Sequence, residues 1–233
     1  TDARRGRVCT RVIKEIAVAA RNGGGDPDAN PRLRTAVAAA KAASMPAETI
    51  KRAIQRGTGE LPGTTYEEVT FEGYGPGGVA LLVEVATDNR NRTVSEIRHI
   101  FSRQGGNLGE AGSVAWMFKK RGYIVVPKEN AGEDKLLSIV LEAGGEDLRD
   151  DGSQWEVVTP LEGFEPVQSA LKASQVEFSL AEISMIPQSY IKLEGRNAQQ
   201  MLRLIEALEE HDDVQHVYAN FDVEEHELEA VGE

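Results

Sequence analysis

Hydrophobic periodicity changes sharply around the octapeptide GTGELPGT at residues 57–64. Upstream, apolar residues recur every three or four positions. Val8, Cys9, Val12, Ile13, Ile16 and Ala20 make one helical stripe, and Leu33, Val37 and Ala40 make another. Downstream, apolar residues come in short runs. The clearest is VALLVEVAT (79–87), apolar except for Glu84, which is the pattern of a strand buried on both faces. A chain with this switch folds as a helical module followed by layers of helix and sheet, a multidomain α+β architecture.

Local signals divide the two parts further. Gly23-Gly24-Gly25 ends the first helix, and Asn30-Pro31 opens the second with a capping side chain and a proline at the first helical position. Ser44, with Pro46 in the first turn, opens a third helix carrying Ile50, Ala53 and Ile54, with a stop at Gly57. Three helices on short connections predict an N-terminal three-helix bundle over residues 1–60. Beyond the linker, Thr93-Val94-Ser95-Glu96 reads as a capping box for a helix through Phe101 that ends at Gly105-Gly106. Strands are expected at SVAWMF (113–118) and YIVVP (123–127), joined by a basic turn, Lys119-Lys120-Arg121-Gly122. A helix is expected over 133–143, then strands near 154–159 and 178–186 flanking a helix at 163–173. A helix capped by Asn197, with Met201, Ile205 and Leu208 inward, leads into a strand at 214–221. Residues 224–233 read as an acidic, solvated tail.

Charge is sorted along the same axis. Residues 1–60 sum to +6, residues 61–128 to +1 and residues 129–233 to −19, within a chain of net charge −12. In the first helix Arg4, Arg7, Arg11, Lys14 and Arg21 fall within an arc of about 100°, opposite the apolar stripe, and Arg5 is a further candidate contact. The next two helices add Arg32, Arg34, Lys41, Lys51, Arg52 and Arg56, and the middle segment adds Arg90, Arg92, Lys119, Lys120 and Arg121. Guanidinium forks match phosphate oxygens, so these residues are the expected contacts to a nucleic-acid backbone, while the acidic remainder faces away from phosphate. Nothing singles out a base-reading helix, and aromatics for stacking are few. DNA and RNA both remain open as the target.

Other chemistry has little support. One cysteine, Cys9, leaves no internal disulfide framework; it fits a reducing, cytoplasmic setting and a packing role on the helix stripe. No run approaches the ~18 apolar residues of a membrane span. His99, His211, His216 and His226 lack the local spacing of metal ligands, so no metal or cofactor is expected. There is no nucleophile elbow, and no enzyme is expected. The segment EGYGPGG (72–78) lacks the Lys-Ser/Thr ending of a phosphate-binding loop and reads as a tight turn. The segment TDNRNRT (87–93) lies at a strand-to-helix junction, where a ligand-contact role and a capping role are equally consistent with its residues.

Four stretches together resemble the YebC/PmpR family: NPRLRTAVAAAKAASMPAETIKRAIQRG (30–57), EGYGPGGVALLVEVATDNRNRT (72–93), GGNLGEAGSVAWMFKKRG (105–122) and, more weakly, HVYANFD (216–222). The family's usual opening, which begins Gly-His-Ser-Lys-Trp, does not occur in this sequence. The resemblance implies a non-enzymatic protein of three domains, the helical bundle followed by two small α/β sandwich domains, the third inserted in the second. On that picture residues 61–128 and 188–223 make one domain, residues 129–187 are inserted in it, and 224–233 form the tail. The resemblance further implies a DNA-binding regulator of transcription. The alternative it implies is a translation factor that binds ribosomal RNA on the large ribosomal subunit and relieves stalled synthesis.

Overall fold

A computed structural model describes residues 2–229. Its helices and strands, in chain order, are α1 (Asp2–Gly23), α2 (Pro31–Ala42), α3 (Ala47–Thr58), β1 (Glu67–Tyr74), β2 (Ala80–Thr87), α4 (Arg90–Arg103), β3 (Asn107–Leu108) and β4 (Phe118–Pro127). There follow α5 (Glu133–Glu142), β5 (Asp147–Asp151), β6 (Gln154–Thr159), α6 (Phe164–Ala173), β7 (Leu180–Pro187), β8 (Ile191–Lys192), α7 (Gly195–Glu210), β9 (Val214–Ala219), β10 (Phe221–Asp222) and α8 (Glu225–Glu229). The chain divides into two compact units. One runs to Ala115 and resumes at Tyr190; the other is Trp116–Ser189.

In the first unit α1, α2 and α3 enclose Ile16, Ala20, Leu33, Ala40, Ile50 and Ala53. Asn30 caps α2 as expected, accepting a hydrogen bond from the Leu33 amide at 3.1 Å. Helix α3 begins after Pro46 without a side-chain cap and ends at Gly59, which adopts φ +84°. Gly57 therefore lies inside the helix and does not stop it. A Cβ there would sit 2.4 Å from the Ala17 carbonyl oxygen, so glycine lets α3 approach α1 at backbone distance.

The same unit contains a four-stranded sheet in the order β3-β1-β2-β9, with every pairing antiparallel. Strand β2 is central, as its apolar run requires, and Gly77 and Gly78 turn the chain into it at φ +74° and +79°. Helices α4 and α7 pack their buried stripes, Ile97, Phe101, Met201, Leu204 and Leu208, against Phe71, Leu81 and Val83 of the sheet. The N-cap of α4 is Asn89, whose side chain accepts from the Arg92 amide at 3.1 Å. The expected capping box at Thr93 is thus displaced by one turn, because the Thr93 hydroxyl is bonded elsewhere. Helix α7 starts two residues before Asn197, and its first amide, Gly195, donates to the Glu227 carboxylate at 2.8 Å. The expected acidic tail is therefore docked as far as Glu227, and its final residues, 230–233, lie outside the described residues.

In the second unit the sheet order is β5-β6-β4-β7, again antiparallel, with α5 and α6 supplying Leu136, Val140, Val167 and Leu171 to a separate core. The expected turn at Lys119–Gly122 is absent. Strand β4 runs continuously from Phe118 opposite Pro187 to Pro127 opposite Gln154, pairing with β7 and β6. Gly122 serves close approach here, since a Cβ would fall 2.2 Å from the Thr159 hydroxyl and 2.6 Å from the Phe164 ring. Because β4 pairs only within this unit, the insertion begins at Trp116 and not after residue 128. Its entry and exit segments are adjacent: the Gln188 amide donates to Met117 O at 2.9 Å, and its side chain donates to Trp116 O at 3.2 Å. No described helix is long and apolar enough to cross a membrane.

Candidate nucleic-acid interface

The cationic face expected on α1 is largely occupied within the protein. Lys14 is 7% exposed. Its ammonium donates to Asp213 Oδ1 at 2.8 Å, to Asp212 O at 2.9 Å and to Ala86 O at 3.3 Å. The other Asp213 oxygen accepts from the Thr93 hydroxyl at 2.7 Å and from Arg92 at 2.9 Å. Burial alone would raise the Asp213 pKa, but the bonds from Lys14, Thr93 and Arg92 outweigh it and hold the carboxyl well below its ordinary value. Lys14 thus leaves the candidate interface, because the far side of α1 is covered by the ends of β2 and β9. One signal for this was present in the sequence. The run Ile16-Ala17-Val18-Ala19-Ala20 is apolar all round, as in a helix enclosed on both sides, and all five residues are buried.

Neighbouring cations follow Lys14 inward. Arg11 donates to the Glu209 carbonyl near the C-terminal end of α7, where the helix dipole favours positive charge. Arg7 lies 3.9 Å from Glu210, and Arg21 donates to Tyr66 O at 3.3 Å. Arg32 joins Glu15, at 2.7 Å, to Glu68 of β1, at 2.5 Å, and these two carboxylates in that order hold its pKa above the ordinary value. Arg34 bonds the carbonyls of Pro27 and Asp28, and Arg52 pairs with Glu48 one turn away. The sorted charge therefore acts in part as self-complementarity, since acids and carbonyls from β1 onward receive much of the N-terminal positive charge.

The TDNRNRT segment resolves in the same direction. Thr87 and Thr93 share a 2.8 Å hydroxyl contact, Asn89 caps α4, Arg92 bridges Asp88 and Asp213, and Arg90 lies 3.3 Å from Glu67. Its residues bind one another and the Asp213 node. Glu96, His211 and Asp213 each bring a ligand atom within 4.8 Å of the others, a grouping invisible to local spacing. Both Asp213 oxygens are already bonded, and His211 Nε2 sits 2.6 Å from Glu96, so this is a hydrogen-bonded cluster with no open coordination cage.

Among the described residues, Arg4, Arg5, Lys41, Lys51, Arg56, Lys119 and Lys120 are exposed and have no carboxylate partner. Arg121 pairs with Glu146 at 2.9 Å. Arg4 and Arg5 line an open groove of about 420 Å³ between the start of α1 and the end of α2, with Val8, Cys9, Ala42, Ala43 and Ser44 completing it. Lys41 adjoins that wall. Cys9 is half-buried against the bundle core, in keeping with its packing role. On α3 Lys51 and Arg56 face solvent. Sequence reasoning passed over Arg98, Arg103, Arg196 and Arg203, which are also exposed without an acidic partner among the described residues. They are scattered singly through neutral and acidic segments, and only folding collects them on α4 and α7.

A family model described as the TACO1/YebC protein N-terminal domain matches residues 1–60, and one described as the TACO1/YebC second and third domain matches residues 66–221. A relative from Acidobacterium capsulatum is 62% identical over 96% of this chain and 91% of its own length, and one from Koribacter versatilis is 62% identical over 99% and 92%. Both are named "Probable transcriptional regulatory protein", a non-enzymatic class. The crystal structure of a conserved hypothetical protein from Aquifex aeolicus superposes with a TM-score of 0.86 at 46% identity, covering 96% of this chain and 93% of that one. Matches of this length and identity, on the fold described above, show that the chain belongs to the TACO1/YebC family.

Proposed function

We propose that the protein regulates gene expression by gripping a nucleic-acid phosphate backbone with its helical bundle, using Arg4, Arg5 and Lys41 at the α1–α2 groove and Lys51 and Arg56 on α3. One observation carries this reading. These cations remain unpaired among the described residues of a chain of net charge −12, in which most of the other N-terminal cations are bonded internally. Five free cations on one small bundle suit a polyanion, and the acidic remainder keeps the contact from spreading. Duplex DNA is the first ligand to consider, because the relatives are named as transcriptional regulators.

The test is binding of promoter DNA across a salt series, with the intact chain and with a variant carrying Arg4→Glu, Arg5→Glu and Lys41→Glu. The intact protein should lose affinity linearly with log salt, at about 0.9 per phosphate contacted. The variant should bind at least about tenfold more weakly with a shallower slope. Equal affinity and slope would remove the bundle from the interface. Tighter binding to ribosomal RNA than to any duplex would move the activity from transcription to translation.

A further inference from the structure

We infer that the furrow between α4 and α7 is a second phosphate-binding surface, which contacts the same nucleic acid as the bundle. The inference rests on the functional reading above and adds a surface to it.

Three contacts fix how the helices run. Arg92 and Glu96 in the first half of α4 meet Asp213 and His211 just beyond the end of α7, at 2.9 and 2.6 Å. At the other end, a Cβ on Gly105, which follows α4, would lie 2.8 Å from the Gln200 side chain in the first half of α7. The helices are therefore antiparallel neighbours. Arg103 is two turns beyond Glu96, so it falls on the α7 side of α4. Arg196 and Arg203 lie four residues before and three after Gln200, so both fall on the α4 side of α7, about 10 Å apart along the axis with Gln200 between them. Arg103 and Arg196 thus border the Gly105–Gln200 end of the furrow, and Arg203 its middle.

Arg103, Arg196 and Arg203 form no ion pair among the described residues. Glu96 is bonded to His211, Glu227 to the Gly195 amide and Gln199, and Glu194 to Lys192, while Glu206, Glu209 and Glu210 follow Arg203 on α7. The first turn of α7 contains no acidic residue of its own; the Glu227 carboxylate accepts from the Gly195 amide at 2.8 Å, and Arg196 stands one residue further along the helix. Gly105 adopts φ +76°, and its lack of a side chain leaves room beside Gln200. Exposed, unpaired guanidiniums next to a neutral amide donor suit a ligand that brings negative charge. Planar guanidinium forks favour phosphate oxygens, and the acidic opposite end of the furrow orients the strand by repulsion.

The experiment compares three full-length proteins by fluorescence anisotropy across a salt series, with a mixed-sequence DNA duplex and a transcribed ribosomal RNA fragment as probes. They are the unaltered chain, the bundle variant above and a furrow variant with Arg103→Glu, Arg196→Glu and Arg203→Glu. A milder set with glutamine at the same three positions guards against misfolding, and circular dichroism verifies the fold. The furrow variant should bind at least about tenfold more weakly, with a salt slope reduced by two or three contacts, and the glutamine set should lie between. Unchanged affinity and slope in the furrow variant, with binding lost in the bundle variant, would overturn the furrow and leave the bundle standing. Absence of binding by the unaltered chain would overturn the functional reading, and the furrow with it. Loss of self-association at unchanged nucleic-acid affinity would make the furrow a contact between copies and overturn the inference.

Discussion

Three acceptors surround the Lys14 ammonium, and a carboxylate that is itself 5% exposed is one of them. A buried pair of this kind need not add much net stability, but removing one member leaves the other charged and desolvated. Lys14→Ala should therefore cost about 3–5 kcal/mol, read as a lower urea midpoint. A midpoint within error of the parent would show that water reaches the site. The node also sets an acid response. Asp213 has a folded pKa below its unfolded value, so its contribution is complete above about pH 4 and is lost as pH falls towards the folded value. Unfolding free energy should decline from about pH 4 downward, and Asp213→Asn should flatten that limb; parallel pH profiles would reject the assignment. The helical period showed which side of α1 Lys14 occupies. It could not show that Asp213, 199 residues later, covers that side, because period says nothing of the neighbouring layer.

Among the elements, the segment between β3 and β4 shows how a loop can be fixed without regular structure. Glu72 of β1, 7% exposed, accepts from the backbone amides of Gly112, Val114 and Ala115, the last two at 2.9 and 2.6 Å. Burial raises its pKa, yet the three amides outweigh this and hold it below the ordinary value. Glu72→Gln would set amide hydrogens against these donors and leave at least one unsatisfied, at about 1–3 kcal/mol. Hydrogen exchange at those three amides should accelerate ahead of the rest of the sheet, and unchanged protection would reject the role. The elements themselves were unevenly legible. Strand β2, helix α5, helix α6 and the Asn30 cap followed from pattern alone. The SVAWMF run misled because its apolar residues suggested a strand where Glu72 organises a loop. The KKRG run misled because Gly122, chosen for contact with Thr159 and Phe164, has the same letter as a turn glycine. Strands β1 and β5 escaped notice because half-exposed, acidic strands such as EEVTFEGY and DLRDD carry little apolar signal.

For the molecule as a whole, the switch from helical to strand periodicity correctly announced a bundle joined to α+β layers, and the charge gradient correctly marked the bundle as the cationic part. Both are sums over many residues and survive local errors. The gradient did not reveal how much of the positive charge is bonded internally, nor that Arg103, Arg196 and Arg203 border one furrow. The two units have separate apolar cores, one around Phe101 and Met201 and the other around Ile124 and Leu171. Residues 116–189 produced alone should therefore show a cooperative thermal transition and dispersed amide resonances. A flat melting curve would mean that this core depends on the rest of the chain.

Gln188 bonds the backbone at both Trp116 and Met117, so the two ends of the second unit lie side by side. A segment attached in this way is topologically a cassette. It can be gained, lost or exchanged by recombination at one place in the host chain, with no strand of β3-β1-β2-β9 rethreaded. Ancestry of the inserted segment can therefore differ from that of the helices and sheet that carry it.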